Sequence, residues 1–158
     1  MDRAVPPTLR ALMPADERAA RALLASHFSG TRYRERMVEL LESVLQFDDP
    51  EYLAVLAFRE SDGELAGLAL FGTVAGARAV VKIHAVVARE LAVALALLEA
   101  VRDASERSGE RLIVCEVPDD APFSLVADAL MTAGYSEEGR VPDFIRDGIA
   151  LRLLVRAP

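Results

Sequence analysis

The sequence predicts an α/β chain: a mixed, mostly antiparallel central sheet with helices on both faces. Apolar runs of strand length, Tyr52–Phe58, Leu65–Phe71 and Ala77–Val87, follow one another across short turns, which is the pattern of an antiparallel meander. The segment Leu91–Ser108 then carries a helical pattern into a further apolar run, Arg111–Val117. Strands joined through a helix lie parallel, and the crossover is expected to be right-handed. The 158 residues match one domain at about 100–200 residues per domain.

Each element has a local reason. Residues 1–7 (MDRAVPP) read as a loose tail, because Pro6 and Pro7 donate no hydrogen bond. Thr8–Met13 reads as a short strand. Pro14-Ala15-Asp16 opens a helix carrying Ala20, Leu23, Leu24 and His27, which Ser29-Gly30 breaks. Thr31 is the expected cap of a second helix, where Met37, Leu40, Leu41, Val44 and Leu45 repeat at the spacing of one buried face. Asp48-Asp49-Pro50 is expected to stop it, since the residue before proline avoids the helical region. Ser61-Asp62-Gly63 and Gly72–Gly76 supply the meander turns, and Gly109 the C-terminal cap of the Leu91–Ser108 helix. Pro118-Asp119-Asp120 and Pro122 announce a last helix with Phe123, Val126, Ala127, Leu130 and Met131 at helical spacing, ended by Gly134. Tyr135–Ile145 and Ile149–Val155 close the chain as two strands turning at Arg146-Asp147-Gly148. The element order is β-α-α-β-β-β-α-β-α-β-β.

Composition removes several function classes. Hydrophobic residues make up 53% and charged residues 27%, which fills a core, and the longest uncharged apolar run, Leu91–Leu98, is well below the roughly 20 residues of a membrane span. Charge is 18 basic against 25 acidic, net −7, so nucleic acid is repelled at long range, acidic substrates are disfavoured, and neutral or cationic ones are allowed. The single cysteine, Cys115, removes a disulfide framework and any cysteine-based zinc site; no His/Asp/Glu cluster has ligand spacing, so no metal is expected. No leader pattern opens the chain, and a cytoplasmic location is expected. One of the 18 basic residues is a lysine, Lys82.

Two phrases carry a resemblance. The opening Leu9-Arg10-Ala11-Leu12-Met13-Pro14-Ala15-Asp16 and the ending Ala133-Gly134-Tyr135-Ser136-Glu137-Glu138-Gly139-Arg140-Val141-Pro142-Asp143-Phe144, followed by Asp147-Gly148, stand in the element order given above. Together they resemble the GNAT acyltransferases, the acetyl-CoA-dependent N-acetyltransferases, over about Thr8 to Val155. The resemblance implies acetyl-CoA or another acyl-CoA as co-substrate and a small-molecule or peptide amine as acceptor, with a homodimer as one option. It implies that backbone groups of Ala85, Val86 and Val87 pair the pantetheine arm. In the family, pyrophosphate sits on free N–H groups where the helix after the fourth strand begins. The matching stretch is Arg89-Glu90-Leu91-Ala92-Val93-Ala94, so Arg89, Ala92, Val93 and Ala94 are the cofactor-binding candidates, with free N–H groups expected at Ala92, Val93 and Ala94. Ala92 stands where the family has its central glycine. Leu130 stands where many members carry a tyrosine acid, and Phe123 where an asparagine is common.

Three side chains are candidates for proton transfer. His84, in the third meander strand beside the expected splay, has a pKa suited to deprotonating an amine; its structural alternative is a half-buried strand histidine. Glu116 can accept an amine proton directly or through water, or simply pair with a cation. Tyr135 can replace the missing tyrosine as thiolate acid, or pack the sheet as an ordinary aromatic. Cys115 alternates with Glu116 across the strand, and its apolar neighbours mark it as a buried hydrophobe. Asp143 and Asp147 read as a solvated hairpin, and Arg32, Arg34 and Arg36 with Glu35 and Glu39 as surface pairs. Two functions remain: an N-acyltransferase, or a GNAT-fold module that binds a ligand or a protein without turnover.

Overall fold

The computed structural model describes residues 5–46 and 52–158. In chain order these are β1 (Thr8–Ala11), α1 (Glu17–His27), α2 (Arg34–Gln46), β2 (Tyr52–Phe58), β3 (Leu65–Thr73), β4 (Val80–Ala88), α3 (Leu91–Arg107), β5 (Leu112–Pro118), α4 (Ser124–Thr132), β6 (Ser136–Arg146) and β7 (Ile149–Arg156). Short 3-10 turns, Pro14–Asp16 and Ala121–Phe123, lead into α1 and α4. The seven strands form one sheet in the order β1-β2-β3-β4-β5-β7-β6. Neighbours are antiparallel except β4 and β5, which are parallel. The expected meander, crossover and final hairpin are all present. No helix among the described residues is long and apolar enough to cross a membrane.

Several boundaries differ, each for a local reason. β1 stops at Ala11, because the Asp16 carboxylate accepts the Met13 N–H at 2.8 Å and bends the chain into the 3-10 turn. α2 starts at Arg34 rather than from a Thr31 cap. The Thr31 hydroxyl donates to the Phe28 carbonyl at 2.7 Å and accepts from the Tyr33 N–H at 3.2 Å, closing a turn of its own. β3 runs through Gly72 to Thr73, and β4 begins only at Val80, after Ala79 with φ +57°. The expected stop at Asp48-Asp49-Pro50 and the tail residues 1–4 lie outside the described residues. Asp143, at φ +55°, accepts the Gly148 N–H at 2.7 Å and fastens the last hairpin.

Side-chain alternation assigns the two faces. A β-carbon at Gly67 would lie 2.8 Å from Val93 Cγ1 and 3.0 Å from Leu97 Cδ1, so this face of β3 is the one α3 covers. Along β7, Ala150 and Leu154 are buried and Arg152 lies beside Ala127 and Asp128 of α4, so α3 and α4 share that side. The helices α1 and α2 pack on each other and on β3 and β2 from the opposite side. One contiguous core results, with Phe28, Phe71, Leu68, Leu70, Ile83, Leu97 and Leu130 among its fully buried side chains.

One irregularity sets up the site. The β3–β4 register runs Leu70↔Ala85 and then Phe71↔Ile83, which leaves His84 as the extra residue of a bulge in β4. A bulge reverses the alternation of its strand and re-aims the side chain beside it.

Candidate functional site

β4 and β5 pair from Val80↔Leu112 to Ile83↔Cys115 and then separate. The separation begins at the bulged His84 and at Glu116. Beyond it, β4 from Ala85 to Ala88 pairs with β3 on one side, and β5 from Cys115 to Pro118 with β7 on its far side. The backbone groups of Ala85–Val87 that face β5 therefore line a wedge. A cavity of about 50 Å³ lies there, bounded by Phe28 and Met37 from the α1/α2 side, by His84, Cys115 and Glu116, and by Val126 of α4. Its walls come from both faces of the sheet, so it opens the sheet between two strands. At roughly 30 Å³ per water, it has room for a group the size of an acetyl.

The titratable groups around the wedge are strongly differentiated. The Lys82 ammonium pairs with Glu116 Oε2 at 3.0 Å, linking β4 to β5 just before they part. Burial lowers the His84 pKa from its ordinary value and the Lys82 charge lowers it further, against the opposing pull of Glu116. The imidazole is therefore neutral at pH 7, as a proton acceptor must be. Cys115 is buried on the α3/α4 side, and burial pushes its thiol up to about 12, so it is an inert apolar residue. Tyr135 does not line the cavity; it is 4% exposed, with a hydroxyl that has no hydrogen-bond partner among the described residues. Burial raises its pKa, Cys115 adds to the rise and Arg156 opposes it, which keeps the phenol protonated.

The start of α3 is the second part of the site. Glu90 caps the helix with an extended backbone. Its carbonyl accepts from the Val93 and Ala94 N–H groups, both at 3.1 Å, so the donors expected to be free at Val93 and Ala94 are engaged. Among the described residues the N–H groups of Leu91 and Ala92 have no acceptor. Of the three expected donors Ala92 therefore stays free and Leu91 joins it, because the cap carbonyl receives the first bonds of the helix. Both residues are exposed, as is Arg89. Arg89 Nη2 donates to Ser26 Oγ at 2.6 Å and so ties the entry of α3 to the last turn of α1. Two exposed N–H groups, a positive helix end and an arginine suit an anion of phosphate type. The free strand edge and the small cavity suit an extended thioester arm, so these residues fit an acyl-CoA.

Tyr33 and Asp120, near the wedge, are not among the functional candidates that the sequence marks. The Tyr33 hydroxyl donates to Asp120 Oδ2 at 2.8 Å, which fastens the α1–α2 turn to the end of β5. Burial and this carboxylate push the Tyr33 phenol up to about 12, and the hydroxyl holds Asp120 below the usual carboxylate range. Phe123 packs edge-on against Tyr33, ring centroids 4.6 Å apart, and 5.4 Å from the Phe28 ring. An aromatic wall thus stands where the asparagine is common. A signal existed for Tyr33, the aromatic in the charged run Arg32-Tyr33-Arg34-Glu35-Arg36. Leu130 is fully buried in the core stripe of α4.

No protein-family model matches the chain, and no characterised protein matches it by sequence. Solved structures do match. A protein from Desulfovibrio desulfuricans assigned to the GNAT acetyltransferases superposes with a TM-score of 0.80 at 20% identity, covering 96% of this chain and 98% of that one. An aminoglycoside 6'-N-acetyltransferase from Enterococcus faecium gives 0.76 at 16% identity, over 95% and 96%. A Salmonella typhimurium protein assigned as an acetyltransferase, solved with its cofactor acetyl-CoA, gives 0.73 at 16% identity, over 97% and 94%. The chain has the fold of the GNAT acetyltransferases.

Proposed function

We propose that the protein is an N-acyltransferase that transfers an acyl group from an acyl-CoA to an amine. The observation that carries this reading is the parting of β4 and β5 beyond Ile83 and Cys115, with a cavity between them at His84 and Glu116. An unpaired strand edge beside an opening of this size offers backbone groups to a strand-like ligand. In this reading Ala85, Val86 and Val87 pair the pantetheine arm, and the Leu91 and Ala92 N–H groups with Arg89 hold the pyrophosphate. The bound thioester supplies the activated acyl group. His84 or Glu116 takes the proton that the amine loses on attack, and Tyr135 is the remaining candidate for protonating the leaving thiolate. The reading goes with a cytoplasmic location. Most of the acceleration comes from alignment of amine and thioester, so a missing acid lowers the rate without abolishing it.

A second reading is a GNAT-fold module that binds without turnover. It is favoured by the fully buried Leu130 at the position of the tyrosine acid and by Ala92 at that of the central glycine. Melting curves with coenzyme A and acetyl-CoA, followed by a thiol-release assay over a panel of amines, separate the two. A ligand present at a hundred times its dissociation constant stabilises the folded state by about 2.7 kcal/mol. At roughly 2–4 °C per kcal/mol the melting point should rise by several degrees. Binding with thiol release supports the enzyme, and binding without release supports the module. A flat curve at millimolar acetyl-CoA removes the acyl-CoA reading.

A further inference from the structure

We propose that Lys82 is a self-acylation site, its amine accepting an acyl group from the acyl-CoA bound in the wedge. The proposal rests on the acyl-CoA reading and adds an internal acceptor to it.

The chain carries 18 lysine and arginine residues, and Lys82 is its sole lysine. An arginine would hold a carboxylate at least as well, through two donors in a fixed fork. What lysine offers and arginine does not is an amine that can lose its proton and act as a nucleophile. Its position gives that property a use. Lys82 stands two residues before the bulged His84 in β4, about 7 Å along the strand at the usual rise, opposite Val114 in the last paired stretch. Its ammonium donates to Glu116 Oε2 at 3.0 Å, and Glu116 lines the cavity. Before the bulge, side chains of β4 alternate so that Ile83 shares a face with Phe71, which α3 covers, and Lys82 takes the other. Glu116, opposite Leu153 in β7 and between the buried Cys115 and Val117, lies on that same face. The Lys82 side chain does not line the cavity in its ion-paired position and is 31% exposed; in the proposal its long stem swings from the carboxylate toward the opening.

The chemistry balances with groups at the site. Glu116 takes one proton from the Lys82 ammonium, leaving a neutral amine. The Nζ lone pair attacks the thioester carbonyl carbon; the C–N bond forms and the C–S bond breaks. The attacking nitrogen then gives up its second proton to the leaving thiolate, which departs as coenzyme A, and the one proton left on the nitrogen is that of the secondary amide. Acylation removes the Lys82 charge and releases Glu116 from its ion pair, so modified and unmodified chains present different carboxylates to an incoming amine.

The test uses the full chain, acetyl-CoA and intact-mass spectrometry, with peptide mapping to separate Lys82 from the N-terminal amine. A time-dependent gain of one acetyl group on Lys82 is expected. It should be at least tenfold faster in the folded protein than in urea-unfolded chain at equal acetyl-CoA, slowed by excess coenzyme A and absent in Lys82→Arg. Glu116→Gln, which keeps the shape but accepts no proton, should slow it at least tenfold. Equal labelling of folded and unfolded chain would mean ordinary solution acylation and overturn the proposal. The melting shift with coenzyme A, measured on the same samples, separates the two failures. A shift with Lys82 unmodified overturns self-acylation alone, and no shift overturns both it and the acyl-CoA reading.

Discussion

A β-carbon on Gly67 would lie 2.7 Å from the Val87 carbonyl oxygen. That distance is below any ordinary contact, and the neighbour is backbone, which cannot rotate away. The same position meets Val93 and Leu97 of α3 at 2.8 and 3.0 Å. Gly67 therefore lets the first turns of α3 lie directly on β3, where the Leu91 and Ala92 donors meet the end of β4. The cradle at the start of α3 depends on a missing side chain on β3, the neighbour of the strand that lines the wedge.

Gly67→Ala should accordingly lower stability by about 1–3 kcal/mol, the usual range for overpacking, and weaken coenzyme A binding as α3 shifts. Thermal melts with and without ligand measure both. An unchanged melting point would mean that α3 settles outward at no cost.

The Tyr33–Asp120 hydrogen bond, beside the packing of Tyr33 on Phe123, joins the α1–α2 turn to the mouth of the wedge. Tyr33→Phe keeps the ring on Phe123 and removes only that bond. A cost of about 1 kcal/mol is expected, below the roughly 1.5–3 kcal/mol of hydrogen bonds to charged groups, because the half-buried Asp120 regains water. Denaturant melts of Tyr33→Phe, Asp120→Asn and the double variant should show costs that do not add.

The sequence made most of this fold legible because its signals are local. Turn glycines, proline breaks and apolar periodicity lay out the meander, the crossover and the hairpin, and Leu91 begins a helix in both the pattern and the structure. Strand neighbours followed from turn length. The bulge at His84 left no such trace, because it exists only as an offset between β3 and β4. The helix start is as expected, yet the Val93 and Ala94 donors are not free. With Leu91 as the first helical residue, Ala94 is the fourth and bonds the Glu90 carbonyl, and Val93 shares that carbonyl through a tighter 3-10-type bond. Tyr33, Asp120 and Phe123 meet from segments far apart in sequence, and no spacing rule brings such groups together. Gly67 read only as one residue of an apolar strand, since the helix that needs its bare backbone comes later in the chain.

Ala92 tests how closely a ligand approaches the start of α3. Its N–H has no acceptor among the described residues, and the residue is exposed. Ala92→Gly should preserve or strengthen the melting shift given by coenzyme A, while costing the unliganded protein up to about 1 kcal/mol in helix propensity. Ala92→Val should leave the unliganded melting point nearly unchanged and reduce the shift by half or more. Equal shifts in all three proteins would mean that the phosphates do not touch this turn.

Two histidines give the protein an acid-side weakness with a defined window. Burial lowers the His84 pKa and the Lys82 charge adds to this while Glu116 opposes it. Burial also lowers that of His27, with the Pro122 carbonyl opposing and Arg89 assisting. Above the ordinary value of 6.5 both folded and unfolded chains hold neutral rings, and the full stability is present. As pH falls through 6.5 the unfolded chain binds protons first, so stability declines until the folded histidines titrate as well. The carboxylates act lower: Asp16, held at about 2 chiefly by the Arg10 guanidinium against its ordinary 3.8, loses its contribution only between those values. The melting point should therefore fall between pH 7 and pH 5, before the acid groups matter. Asparagine at position 84 or 27 should flatten that slope, and His27→Asn with His84→Asn together should flatten it most. If the double variant keeps the wild-type slope between pH 7 and pH 5, the proton uptake lies on other groups and neither ring is held neutral by its surroundings.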